Sequence, residues 1–188
     1  MQRSVRQKLI LVFVLAWFSL SLANAKTDEV ISLPNYAMKL SVETTASKAD
    51  IWHLWADVAN WKRFDERLEY SFIEGDGLFV EGAIGYLKGK GAPKTKFILT
   101  KVDTGLSFTE VLKLPLGQSI HLRRYFEPSE AEKTIFTHQV TFKGGLKSAF
   151  HLFLAGSFKK DLKLVMEKMK QLAEQNQSFE KGQEELTE

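Results

Sequence analysis

The run from Ser148 to Leu172, SAFHLFLAGSFKKDLKLVMEKMKQL, constrains the fold of this chain more than any other stretch. Leu154, Phe158, Leu162, Val165, Met169 and Leu172 recur at steps of three and four, which lays them along one face of a 3.6-residue helix. A helix with one apolar face needs a surface to cover. Tyr36 to Gly144, just before it, reads as short strands with two small helices, so the surface on offer is a sheet. The predicted class is α+β, an antiparallel sheet of about six to seven strands around a long C-terminal helix.

The strands announce themselves by alternation. Tyr36, Met38, Leu40 and Val42 alternate with Ala37, Lys39, Ser41 and Glu43, which gives a strand with one buried face. Ser47, with Asp50 three residues on, marks a helix start, and Ile51, Leu54, Trp55 and Val58 share a face behind it. Trp61 to Asp65 is a second short helix. Later strands are expected at Leu68–Phe72, Ile84–Lys88, Lys96–Val102, Phe108–Leu114, Ile120–Phe126 and Phe136–Phe142. Asp76-Gly77, Gly91-Ala92-Pro93, Thr104-Gly105, Pro115-Leu116-Gly117 and Gly144-Gly145 separate or end them. Turns at this spacing favour antiparallel hairpins over crossovers.

Both ends of the chain fall outside this pattern. Arg3, Arg6 and Lys8 precede an apolar run from Leu9 to Leu22 and then Ala23-Asn24-Ala25. That order is expected of a secretory signal, residues 1–25, cut after Ala25. The run is shorter than the roughly 20 residues of a spanning helix. Residues 26–34 read as a leader, 35–173 as one domain and 174–188 as a polar, disordered tail. The chain has 26 Lys and Arg against 23 Asp and Glu. Removing residues 1–25 takes three basic residues and no acidic one, leaving a formal net charge of zero and no case for a nucleic-acid partner. The absence of cysteine excludes disulfides, thiolate metal sites and a cysteine nucleophile.

Particular residues inside this order resemble the START-like, or SRPBCC, superfamily and its polyketide cyclase/dehydrase-like branch. They are Val42 to Thr45; Ile51-Trp52 with Trp55-Ala56-Asp57-Val58; Trp61 and Phe64; Glu74-Gly75, Glu81-Gly82 and Gly85. The closing block is Thr134, His138, Val140 and Phe142-Lys143-Gly144, then Leu152, Gly156 and Leu162. The resemblance spans about residues 36–173. It implies a helix-grip fold, a curved sheet wrapped around the C-terminal helix with an apolar cavity between them. The family holds carriers, binders and enzymes, so it implies a container and not one activity.

If consecutive hairpins pair, Glu110, Arg124 and His138 point inward from neighbouring strands among Phe108, Leu112, Leu122, Phe136 and Phe142. A carboxylate, a guanidinium and an imidazole in apolar surroundings perturb one another strongly. They read as an anchor for a ligand headgroup, as an acid/base set, or as a buried ion pair beside a satisfied histidine. Glu110 and His138 are the catalytic candidates under the second reading. Tyr70, Phe72, Phe150, Leu154 and Phe158 complete the expected ligand lining. Gly156 is expected to leave cavity volume, and Phe150–Phe158 to form the entrance. His53, His121 and His151 lack metal-ligand spacing, and neither a metal nor a cofactor is expected.

These observations favour a non-enzymatic binder or carrier of a hydrophobic small molecule such as a lipid, isoprenoid or polyketide-like compound, exported to the periplasm or beyond. The alternatives are a cyclase, dehydratase or isomerase acting on a carbonyl compound, and an adaptor without a ligand. Lysines on the helix's outer face allow transient contact with a membrane. The sequence leaves the oligomeric state open.

Overall fold

The structure, a computed structural model, describes residues 29–129 and 133–184. The expected signal lies outside the described residues. Strands β1 (Ile31–Leu33), β2 (Ala37–Thr44), β3 (Leu68–Ile73), β4 (Ile84–Gly89), β5 (Lys94–Asp103), β6 (Ser107–Lys113), β7 (Ser119–Glu127) and β8 (Thr134–Lys143) form one sheet. Its order is β1-β2-β8-β7-β6-β5-β4-β3, antiparallel throughout. The meander from β3 to β8 follows the predicted hairpins, while β2 crosses over to pair with β8. There is one strand more than the sequence predicts. It is β1, whose three residues are too few to show a period, and which joins β2 through Asn35 and Tyr36, both at positive φ, so Tyr36 belongs to the turn and not to the predicted strand.

Helix α1 (Lys48–Ala56) starts at a capping box: the Ser47 side chain accepts from the Asp50 amide at 3.1 Å, and Asp50 accepts from the Ser47 amide at 3.0 Å. A 3-10 turn, Val58–Arg63, follows. Helix α2 (Lys147–Glu184) packs on α1, β2 and β8. It buries Leu162, Val165, Met166, Met169 and Ala173. It also runs on past Leu172, where the sequence predicts a polar tail. Glu174 explains part of this, since its carboxylate accepts from the Thr44 hydroxyl at 2.8 Å and ties that turn to the end of β2.

One glycine makes room for an aromatic ring. Gly85 on β4 stands opposite Phe97 on β5, and a Cβ at Gly85 would lie 2.1 Å from the Phe97 ring. The glycine lets Phe97 lie flat across the inner face, fully buried, where it stacks on Trp61 at 5.6 Å.

Candidate functional site

The concave face is aromatic. Trp55 of α1 reaches into it, stacked on Phe126 at 4.9 Å and edge-on to Phe108 and Phe136. Trp52 and Phe79 meet Phe108 from the other side. Into this apolar setting the sheet places Glu110, Arg124 and His138, 2%, 6% and 2% exposed. The inward alternation of β6, β7 and β8 is the one the sequence predicts, and it brings the three together.

Arg124 donates to Glu110 Oε2 at 2.8 Å. Its guanidinium lies over the rings of Trp61 and Phe108, at 4.9 and 5.1 Å. His138 is directly across from Arg124 in register, and its ring is 5.8 Å from that of Trp55. Burial pushes the Glu110 carboxyl above its ordinary range, while the charge and hydrogen bond of Arg124 pull the other way. Burial, and then the Arg124 charge, hold the His138 imidazole well below its usual value, so it is neutral at physiological pH.

Three buried polar atoms have no hydrogen-bond partner among the described residues: Trp55 Nε1, Arg124 Nε and His138 Nε2. All three belong to this cluster. Each such group costs about 1–3 kcal/mol when left unmade. Two are N–H donors, and the third donates or accepts according to tautomer. An oxygen acceptor could satisfy the two N–H donors and, with the matching tautomer, His138.

The remaining predicted lining divides. Phe108, Phe136 and Phe142 are buried on the inner face, with Leu112, Leu122, Phe150, Leu154 and Phe158 half-buried against the core. Tyr70 and Phe72 do not belong there. A register shift between Leu68 and Tyr70 turns β3 over, so Ser71 faces inward and bonds the Val58 carbonyl at 2.6 Å. Tyr70 and Phe72 face solvent, where Phe72 stacks on Tyr86 and lies under Lys94. Gly156 is exposed, and a Cβ there would meet nothing within 4 Å, so it adds no interior space.

A cleft of about 360 Å³ opens further along α2 than the expected entrance, lined by residues 64–67 and by Leu164, Val165, Glu167, Lys168 and Gln171. Arg67 bridges it. It holds Asp65 through two hydrogen bonds of 2.8 and 2.7 Å and also pairs with Asp161 of α2. Asp65 is near enough to Glu110 to add to the upward push on that carboxyl. Local sequence pattern gives no sign of this cleft, because Arg67 and Asp161 lie far apart in the chain.

No protein-family model matches the chain, and no curated protein matches it in sequence. Solved structures do match. A START superfamily protein from Mycobacterium smegmatis aligns with a TM-score of 0.55 at 15% identity, over 74% of this chain and 97% of that one. The fold is the START-like helix grip. A truncated norcoclaurine synthase from Thalictrum flavum shares the helix grip with a TM-score of 0.56 at 16% identity, over 77% of this chain and 94% of that one. So does the di-domain ARO/CYC BexL from the BE-7585A biosynthetic pathway, with a TM-score of 0.57 at 12% identity, over 73% of this chain and 46% of that one. At such identities the helix grip is what these proteins have in common; activity rests on the residues each one places inside it.

Proposed function

We propose that the chain is an exported binder or carrier of one hydrophobic small molecule, of lipid, isoprenoid or polyketide-like class, held inside the helix grip with its polar end at Arg124, His138 and Trp55. The carrying observation is the group of three unpartnered polar atoms in an aromatic interior. A ligand oxygen among them would satisfy donors that the protein leaves open, and its apolar body would lie against the rings around them. The sequence of residues 1–25 supports export to the periplasm or beyond.

Binding fits this set better than proton transfer. A general base works best with a pKa near the working pH, and His138 is held well below that range. Glu110 is engaged by Arg124, and no hydrogen bond joins it to His138 among the described residues.

The chain recovered from the exported fraction should begin at Lys26 and carry one hydrophobic compound, seen by gentle mass spectrometry and by extraction. Arg124→Met and His138→Phe should each reduce its occupancy. Protein that stays empty after incubation with membrane extract would rule the proposal out. Turnover of a carbonyl compound that disappears in Glu110→Gln would favour the enzyme reading instead.

A further inference from the structure

The end of the sheet where α2 begins carries an apolar tip that the interior site does not use. Leu116, Leu152 and Phe153 are 77%, 77% and 79% exposed, and Leu146 is 47% exposed. Leu116 is held at φ 59 and ψ 31, a left-handed conformation that favours glycine or asparagine over leucine. A leucine this exposed, in a backbone state that disfavours it, has little packing reason to be there.

The tip is built and not frayed. Gln118 is 4% exposed, and its side chain clamps two loops together. Its Nε2 donates to the Leu116 carbonyl at 2.8 Å, and its Oε1 accepts from the Leu146 amide at 3.0 Å. A Cβ on Gly144 would fall 2.3 Å from Gln118 Oε1, so the glycine makes room for the clamp. Leu116 and Leu146 are thereby fixed at one end of the fold, beside the first turns of α2.

The charge around the tip has one sign. Lys113, Lys143 and Lys147 are exposed beside it. The sequence has no Asp or Glu from Val111 to Phe126 or from Lys133 to Lys160. A groove of about 510 Å³ continues from Lys113 and Lys143 along the outer face of the sheet, where Lys101, His121 and Arg123 join its lining and no acidic residue does. A short exposed apolar wedge inside a basic collar is the arrangement that inserts into a lipid interface while cations meet the phosphates.

We infer that this end of the molecule docks on an anionic bilayer, with Leu116, Leu146, Leu152 and Phe153 entering the interface and Lys113, Lys143 and Lys147 at headgroup level. Leu152 and Phe153 face outward from the turn whose Phe150 and Leu154 pack on the core, and the inference does not depend on what the interior holds.

The cysteine-free chain allows single-site labelling. A polarity-sensitive fluorophore would be placed at Leu116→Cys, at Phe153→Cys and, as a control at the opposite end of the sheet, at Asp76→Cys. The protein would start at Lys26, which keeps every described element. Vesicles of phosphatidylcholine with about one-third phosphatidylglycerol should shift the emission to the blue at positions 116 and 153 and leave position 76 unchanged. Pure phosphatidylcholine should give little response. Paired Leu116→Ser and Phe153→Ser substitutions should weaken sedimentation with the anionic vesicles by about tenfold or more, with unchanged circular dichroism. No shift at 116 and 153, an equal shift at 76, or equal binding to neutral vesicles would overturn the inference. So would a blue shift that grows with protein concentration without vesicles, which would assign the tip to a second copy of the chain.

Discussion

Arg124 reaches Glu110 diagonally. The residue directly across from Glu110 is Leu122, and Arg124 stands two further along β7. The 2.8 Å contact therefore lies along the inner face between two strands, with both groups out of water.

A buried pair of this kind is costly to break by halves. Glu110→Leu or Arg124→Met alone should lower stability by about 3–5 kcal/mol, because each leaves a charge buried without its partner. The double substitution should cost much less than the sum. Urea unfolding of the four proteins gives the coupling directly, and additive losses would mean that the two side chains do not act as a pair.

His138 predicts how stability responds to acid. Unfolded, the imidazole titrates near 6.5; folded, it titrates well below. Between those values the unfolded chain binds more protons, so stability rises with pH and is lost as pH falls below about 6.5, by up to about 1.4 kcal/mol per unit. Partly exposed His121, lowered by burial and by Lys143 and Lys113, adds a smaller effect of the same sign. Glu110 has the opposite sign: its folded value is raised, so its share is present below its ordinary range and lost as pH rises through the raised value. Urea midpoints at pH 7.5 and 5.5 should show the drop in the native chain and a shallower one in His138→Gln. An equal drop in both would exclude His138 as its source.

Gly85→Ala tests the close approach of the Phe97 ring to β4. The new methyl would meet the Phe97 ring well inside contact distance. Phe97 would have to leave its stack on Trp61, and overpacking of this kind costs about 1–3 kcal/mol. The near-ultraviolet circular dichroism of Trp61 should change along with the thermal midpoint. Gly85→Ala with native stability and spectrum would contradict the close approach.

Gln118→Ala should loosen the tip and leave the interior unchanged. It removes an acceptor from the Leu146 amide and a donor from the Leu116 carbonyl. The expected loss is about 1–2 kcal/mol, with faster amide hydrogen exchange at Leu146 and none at Phe136 or Val140. Protection at Leu146 as strong as in the native chain would show that the clamp is not what orders this loop.

The inner face of β6, β7 and β8 was legible in the sequence, and its surroundings were not. Alternation along β6, β7 and β8, with short turns between them, is enough to place Glu110, Arg124 and His138 on one face, because strand period and hairpin pairing leave little freedom. A single irregularity defeats the same rule in β3: the shift near Glu69 reverses every later residue, which sends Tyr70 and Phe72 outward. The extension of α2 carries no apolar period, and its hold on Glu174 comes from Thr44, 130 residues earlier. Gly156 looked like a space left for a ligand, but only the helix's rotation decides which way a missing side chain points. The Arg67 bridge likewise depends on a chain crossing that no local pattern encodes.

The crossover between β2 and β8 bears on the order in which the molecule can be finished. Leu40 pairs with His138, and Val42 with Phe136, about a hundred residues downstream. A chain emerging from its N-terminus holds Met38, Leu40 and Val42 without their neighbours until nearly everything else has been made, and such distant pairings form slowly. An early arrest or truncation before Thr134 leaves an open meander with an orphan hairpin. The strand that completes the sheet is also the one that brings His138, so the interior site cannot exist before the last strand arrives.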